Sequence, residues 1–219
     1  YGFAWWSEGD MRLVKAASNL FNARDNYTEE VTAAKSNIFI AHVRYKSVGR
    51  QDESNTHPFE AVKNSMKYAF AHNGTLCGIQ QKQLTTLQPK GNTDSEHAFL
   101  YLLENIDTPQ QPEISKEIKR IGDKIRNWGR FNFLMSNGCT LWAYTDDSLH
   151  FIERKPPYGG KLITLEDDGY TIDLNEVKRP DERALLVATQ PLSDESEWHK
   201  LNKGELLIAE EGRVVERLN

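Results

Sequence analysis

Apolar and aromatic residues fall in short runs along the first third of the chain, and short runs bounded by polar turns predict strands. Phe3–Trp6 and Met11–Ala17 flank Ser7-Glu8-Gly9-Asp10, which predicts a hairpin. A polar segment through Lys35 follows, helical or loop in pattern. Asn37–Tyr45 (NIFIAHVRY) is rich in β-branched and aromatic residues and predicts a buried strand. A polar loop closed by Pro58 leads to another strand over Lys67–His72, expected to stop at Asn73-Gly74.

The period then changes. Asp94–Asn105 predicts a helix with Ala98, Leu102 and Ile106 on one face and Thr93 or Asp94 as its N-cap. Ile114, Ile118, Ile121, Ile125 and Trp128 recur at helical spacing and predict a second, amphipathic helix. Beyond it, FNFLMSNGCTLWAYT predicts two strands around Asn137-Gly138. Leu149–Glu153, Leu162–Leu165, Tyr170–Leu174, Ala184–Ala188 and a hairpin around Glu210-Glu211-Gly212 predict the rest. Strands, then two helices, then strands fit an α+β layered fold, and no boundary divides residues 1–219.

Composition narrows the function classes. The 219 residues carry 27 Lys and Arg against 32 Asp and Glu, a net charge of −5. That balance argues against a nucleic-acid partner, which needs a basic face. No stretch approaches the roughly 20 apolar residues of a membrane helix, so no membrane association is expected. The two cysteines, Cys77 and Cys139, make no disulfide framework, so a reducing, cytoplasmic setting is the expectation. The Asn26 and Asn73 sequons carry meaning only in a secreted protein. No cysteine pairs with a histidine at metal spacing and no glycine-rich phosphate loop is present, so neither metal nor cofactor is expected.

Four stretches place polar residues just beyond an apolar run: HVRYKSVG (42–49), NTHPF (55–59), AHNG (71–74) and GNTDSE (91–96). Arg44 could hold a carboxylate through its planar fork, with a hydroxyl from Ser47, or form an ordinary surface ion pair. Asp94 suits a helix cap, and the same position keeps a carboxylate ionised for a substrate ammonium. Together the two would grip both charges of an α-amino acid. Asn73-Gly74 reads as a hairpin turn or as an oxyanion hole, a pair of donors aimed at a reacting carbonyl. His57 could be a general base or a self-bonded loop residue. Cys77 reads as a buried, inert thiol or as a nucleophile beside His57 or His72.

These stretches, in this order and at these separations, resemble the class II glutamine amidotransferases, and most closely their stand-alone, single-domain members. NFLMSNG (132–138) and VATQPL (187–192) followed by Trp198 are similar to the same subgroup. The resemblance implies an αββα sandwich of the N-terminal-nucleophile hydrolase type. It implies an enzyme that cleaves the γ-amide of glutamine or a γ-glutamyl compound through a cysteine thioester. Arg44 would bind the α-carboxylate with help from Ser47, Asp94 would hold the α-amino group, and Asn73 and Gly74 would form the oxyanion hole. Tyr45 and Val48 complete the substrate-binding set. The family nucleophile is a cysteine at the mature N-terminus, and this sequence opens on YGFAWW, a tract similar to one that follows that cysteine in relatives. The nucleophile is therefore expected on a strand before Tyr1, without which a sheet would show an open, apolar edge. The alternative is a homologue that binds an amino acid or γ-glutamyl compound without cleaving it, or the ammonia-supplying subunit of a complex. A synthase partner or a homo-oligomer is compatible with either.

Overall fold

A computed structural model describes residues 1–18, 24–43, 52–108, 110–158, 162–165 and 171–219. Its strands are β1 (Gly2–Ser7), β2 (Asp10–Lys15), β3 (Phe39–His42), β4 (Phe59–Lys63), β5 (Met66–Leu76), β6 (Gly129–Ser136) and β7 (Thr140–Tyr144). They continue with β8 (His150–Arg154), β9 (Leu162–Thr164), β10 (Thr171–Asp173), β11 (Ala184–Ala188), β12 (His199–Lys200), β13 (Leu206–Glu210) and β14 (Arg213–Leu218). The helices are α1 (Arg24–Ala33), α2 (Asp94–Glu104), α3 (Glu113–Ile125) and the single turn α4 (Leu174–Val177).

The centre is a six-stranded antiparallel sheet in the order β14-β13-β7-β6-β5-β4. Strand alternation gives it two apolar faces. One face carries Phe70, Phe131, Phe133, Trp142 and Tyr144, packed with Phe99, Leu102 and Leu103 of α2 and Ile114, Ile118, Ile121 and Ile125 of α3. Complete burial of such side chains contributes about 1.5–3 kcal/mol each. Two polar bonds pin α3 to β7. The Trp142 indole donates to Ser115 Oγ at 2.8 Å, and the Tyr144 hydroxyl donates to Asp123 at 2.8 Å.

The opposite face is covered by two smaller sheets. Strands β2-β1-β3 set Ala4, Met11 and Ile40 against Ala69 and Ala71 of β5. Strands β11-β8-β12 set Leu149, Phe151 and Leu201 against Ala143, Leu207 and Ala209. Helix α1 lies outside the first of these, with Tyr27 edge-on to Phe3 at 5.6 Å. The layering is thus helix, sheet, sheet, helix, the αββα order that the resemblance implies. Among the described residues no helix is long and apolar enough to cross a membrane.

The hairpins at Glu8-Gly9 and Glu211-Gly212 form as expected, each with both turn residues at positive φ. Three expectations need correction. Strand β4 and its turn at Asn64-Ser65 replace what reads as loop and inter-strand sequence. Strand β3 is shorter than Asn37–Tyr45, and only Ile40 within it is buried, with Phe39 and the adjoining Val43 exposed. It pairs with β1 alone among the described residues, so its second edge receives no strand there. Third, β5 does not stop at Asn73-Gly74. It runs on to Leu76 with unbroken pairing to β6.

A buried ion pair fastens the segment after β11. Arg154 on β8 donates to Glu195, whose carboxylate also accepts from the Ser193 hydroxyl at 2.7 Å, and the Trp198 indole donates to that hydroxyl at 3.1 Å. The two charged side chains are only 10% and 1% exposed, so neither charge can fall back on water. Glu195→Leu should therefore cost about 3–5 kcal/mol, with much of it recovered in the double variant Arg154→Met/Glu195→Leu. Urea unfolding of the three proteins checks this, and a loss below about 1 kcal/mol in the single variant would contradict it.

Candidate functional site

The cleft begins where β5 outgrows its partner. Strand β4 pairs with β5 only from Met66 to Phe70, whereas β6 accompanies β5 as far as Leu76. Among the described residues, the outer edge of residues 71–76 therefore has no strand beside it. The N-terminus of α2 docks there instead. Asp94 Oδ2 accepts the Leu76 N–H at 2.7 Å, and Asp94 Oδ1 accepts the Ser95 N–H at 2.9 Å.

Local sequence explains why α2 starts at this point. Thr93 is the N-cap, its hydroxyl accepting the Glu96 N–H at 3.1 Å. Thr93-Asp94-Ser95-Glu96 has the Thr-x-x-Glu spacing of a capping box. The buried Glu96 carboxylate reaches further back than usual, taking the Lys90 and Gly91 N–H groups at 2.8 and 2.7 Å. Asn55 Oδ1 takes the next one, from Asn92, at 3.0 Å. The stretches NTHPF and GNTDSE are thereby locked together, and Asp94 is held in place from both sides.

The cleft has a volume of about 590 Å3. Its floor is Asn73, Gly74, Thr75 and Leu76, one wall is Thr93, Asp94 and Ser95, and the other includes His42, Val43 and His57. Asn73 is exposed, while Gly74 and Asp94 are half-buried. Gly74 is fixed by packing: a Cβ there would lie 1.8 Å from the Arg130 carbonyl oxygen. No other residue fits without parting β5 from β6. Thus the structure brings together Asn73, Gly74 and Asp94 of the residues singled out from sequence. Arg44, Tyr45, Ser47 and Val48 lie outside the described residues. His42, two residues before Arg44, lines the cleft. Among the described residues no cluster of three or more His, Cys, Asp or Glu could hold a metal.

Two residues that the sequence left ambiguous now have positions. His57 is buried, its ring tilted against that of His42 with centroids 4.2 Å apart and set edge-on to Phe59 at 4.5 Å. Cys77 is not buried, as the bland reading expected, but exposed at the edge of the cleft. It follows the last residue of β5, where the chain leaves the sheet.

The sequence offered His72 only as a partner for Cys77; in the structure it forms the floor beneath Gly74. One ring nitrogen meets the Ser95 hydroxyl at 2.8 Å and the other meets the Arg130 carbonyl at 3.1 Å. A carbonyl only accepts, so Nε2 carries the proton and Nδ1 accepts from Ser95. Both ring nitrogens are thus committed, which removes His72 as a base for Cys77. Burial pushes its pKa down to about 4, outweighing the Arg130 carbonyl and the Asp94 charge, which pull upward. Asn132, 1% exposed, was missed. Its amide donates to the Asn73 carbonyl at 3.1 Å and to Asp147 at 2.9 Å, bracing the floor from the β6 side.

With this geometry in place, the fold has a class. It is an αββα sandwich of the N-terminal-nucleophile hydrolase type, shared with the glutamine phosphoribosylpyrophosphate amidotransferase of B. subtilis. That enzyme superposes with a TM-score of 0.59 at 17% identity over 99% of this chain and 42% of its own, a likeness of fold alone. The family model for class-II glutamine amidotransferases matches residues 1–219, and the chain belongs to that family. A crystal structure described as a predicted glutamine amidotransferase from Pseudomonas aeruginosa is closer, with a TM-score of 0.78 and 28% identity over 98% of this chain and 86% of that one. An uncharacterized protein of Methanocaldococcus jannaschii is 39% identical over 98% of this chain, which spans 62% of that protein's length.

The depressed His72 pKa has a consequence for stability. Between about 4 and the ordinary value of 6.5, the unfolded chain binds a proton that the folded chain refuses. The contribution is complete above pH 6.5 and is lost as pH falls toward about 4, at up to about 1.4 kcal/mol per pH unit. Urea unfolding across that window should show a steeper loss for the native protein than for His72→Gln. Parallel pH profiles would contradict the assignment.

Proposed function

We propose that this protein is an amidohydrolase that cleaves the γ-amide of glutamine or of a γ-glutamyl compound. The observation that carries the reading is the convergence of Asn73, Gly74 and Asp94 on one cleft in a chain of this family. Asp94, at the N-terminus of α2, takes the α-ammonium. Arg44, with Ser47, Tyr45 and Val48 nearby, takes the α-carboxylate. This places the γ-carbonyl over the strand, where the Asn73 side-chain amide and the Gly74 N–H receive its oxygen.

The alternation of β5 supports that role for Gly74. Leu76 turns its N–H away from β6 to Asp94, and Gly74 lies two residues earlier in unbroken register. The two-residue period sets its N–H on the same free edge. Such donors, fixed before the reaction, cost nothing to orient as negative charge develops on the oxygen.

The nucleophile in this proposal is a cysteine outside these 219 residues, and its own α-amine is the base. Two features agree with a strand arriving beside β3. Its second edge receives no described strand, and Gly2 at the start of β1 pairs with His42 on the cleft wall. The thiolate attacks the carbonyl carbon of the γ-amide, the amine leaves protonated, and water releases glutamate from the thioester. Ammonia goes to water or to a separate synthase. The competing reading is a binding homologue with the same grip on the amino acid and no turnover.

Steady-state kinetics of the protein expressed from its natural start codon test the assignment. Arg44→Ala should raise KM for glutamine sharply. Asn73→Ala should lower kcat about 100- to 1,000-fold with little change in KM. Unchanged constants in either variant would remove that residue from the site, and binding without turnover in the unsubstituted protein would favour the binding homologue.

A further inference from the structure

Resting on the amidohydrolase reading, we propose that Arg130 forms a second anion subsite, on the leaving-group side of the cleft. The preferred substrates would then be γ-glutamyl amides whose amine carries its own carboxylate, such as γ-glutamyl amino acids. Strand register places Arg130. It pairs with Thr75 across β5 and β6, one position from Gly74, and it lines the cleft. Its neighbour Phe131 points into the core beneath α2, so Arg130 belongs to the other face, which it shares with Asn73 and Thr75.

Asp94 reaches β5 from its free edge, and Arg130 stands on the β6 side. The two opposite charges therefore flank the Asn73-Gly74 floor. A glutamyl group held by Asp94 with its γ-carbonyl over that floor directs its amide nitrogen toward Arg130. The guanidinium is free to receive a ligand there. Its side chain is 56% exposed, and Asp147 approaches it only to 3.9 Å while being tied to Asn132. A loose ion pair of this kind contributes little, so a bidentate carboxylate competes well for the guanidinium. The cleft of about 590 Å3 also lies well within the roughly 300–1,000 Å3 of sites that take ligands larger than one amino acid. In the reaction the amide bond between the γ-carbonyl carbon and nitrogen breaks, the amino acid leaves with a proton on its nitrogen, and water completes glutamate.

The test compares γ-glutamylglycine with γ-glutamylethylamide, which lacks the second carboxylate, on the protein from its natural start codon. The native protein should favour the anionic amide in kcat/KM by about 10- to 100-fold, the worth of a charged hydrogen-bond pair. That ratio should shrink with added salt and fall toward one in Arg130→Gln. Because both substrates are measured on one preparation, a general loss of activity cancels. Equal kcat/KM values in the native protein would overturn the subsite while leaving the amidohydrolase reading intact. So would a variant that loses both substrates alike, which would place Arg130 on the glutamyl group instead. Hydrolysis of neither substrate, nor of glutamine, would overturn the amidohydrolase reading itself.

Discussion

The site depends on one bond between a helix start and a strand edge. Strand β5 extends past β4, and its outer backbone donors need partners wherever water is excluded. Asp94 supplies one at Leu76, 2.7 Å away. That contact brings the helix N-terminus, with its positive end and its capped backbone, against the strand that carries Asn73 and Gly74. The carboxylate that closes the fold here is the one proposed to take the substrate ammonium. Its second oxygen is held by Ser95, so the group is oriented before any ligand arrives.

The layer beneath follows from the same docking. His72 ties Ser95 of α2 to the Arg130 carbonyl of β6 and thus spans β5 from one side to the other. Gly74 leaves room for that carbonyl, and Asn132 holds the Asn73 backbone from the far side. Each bond is buried or nearly so, and a buried polar group left without its partner is costly. The floor of the cleft is consequently tied to α2 on one side and to β6 on the other.

How far the sequence disclosed this differs between elements. Helix α3 was legible because four isoleucines at helical spacing leave few alternatives, and all four are buried. The Gly-containing turns after Glu8 and Glu211 were legible from local conformation. Asn73-Gly74 carries the same turn dipeptide as Asn137-Gly138, yet it lies within a strand, because continuous pairing with β6 outweighs local preference. Asn64-Ser65 turns without any glycine, and its strand β4 was missed. Asn73, Gly74 and Asp94 were singled out as members of ordered motifs, although each is ambiguous alone, and they line one cleft. The bracing roles of His72 and Asn132 escaped because they lie in tertiary hydrogen bonds that no spacing encodes. The capping-box spacing of Thr93-Asp94-Ser95-Glu96 was available to fix the start of α2 more firmly.

The central claim is that this cleft positions a γ-glutamyl carbonyl for a cysteine that the 219 residues do not contain. The most direct measurement is covalent trapping with a thiol-directed electrophilic analogue of glutamine, followed by peptide mass mapping, on the protein made from its natural start codon. The account predicts one adduct, suppressed by glutamine, on a cysteine other than Cys77 and Cys139. A glutamine-protected adduct on Cys77, or glutamine binding with no adduct at all, would contradict it.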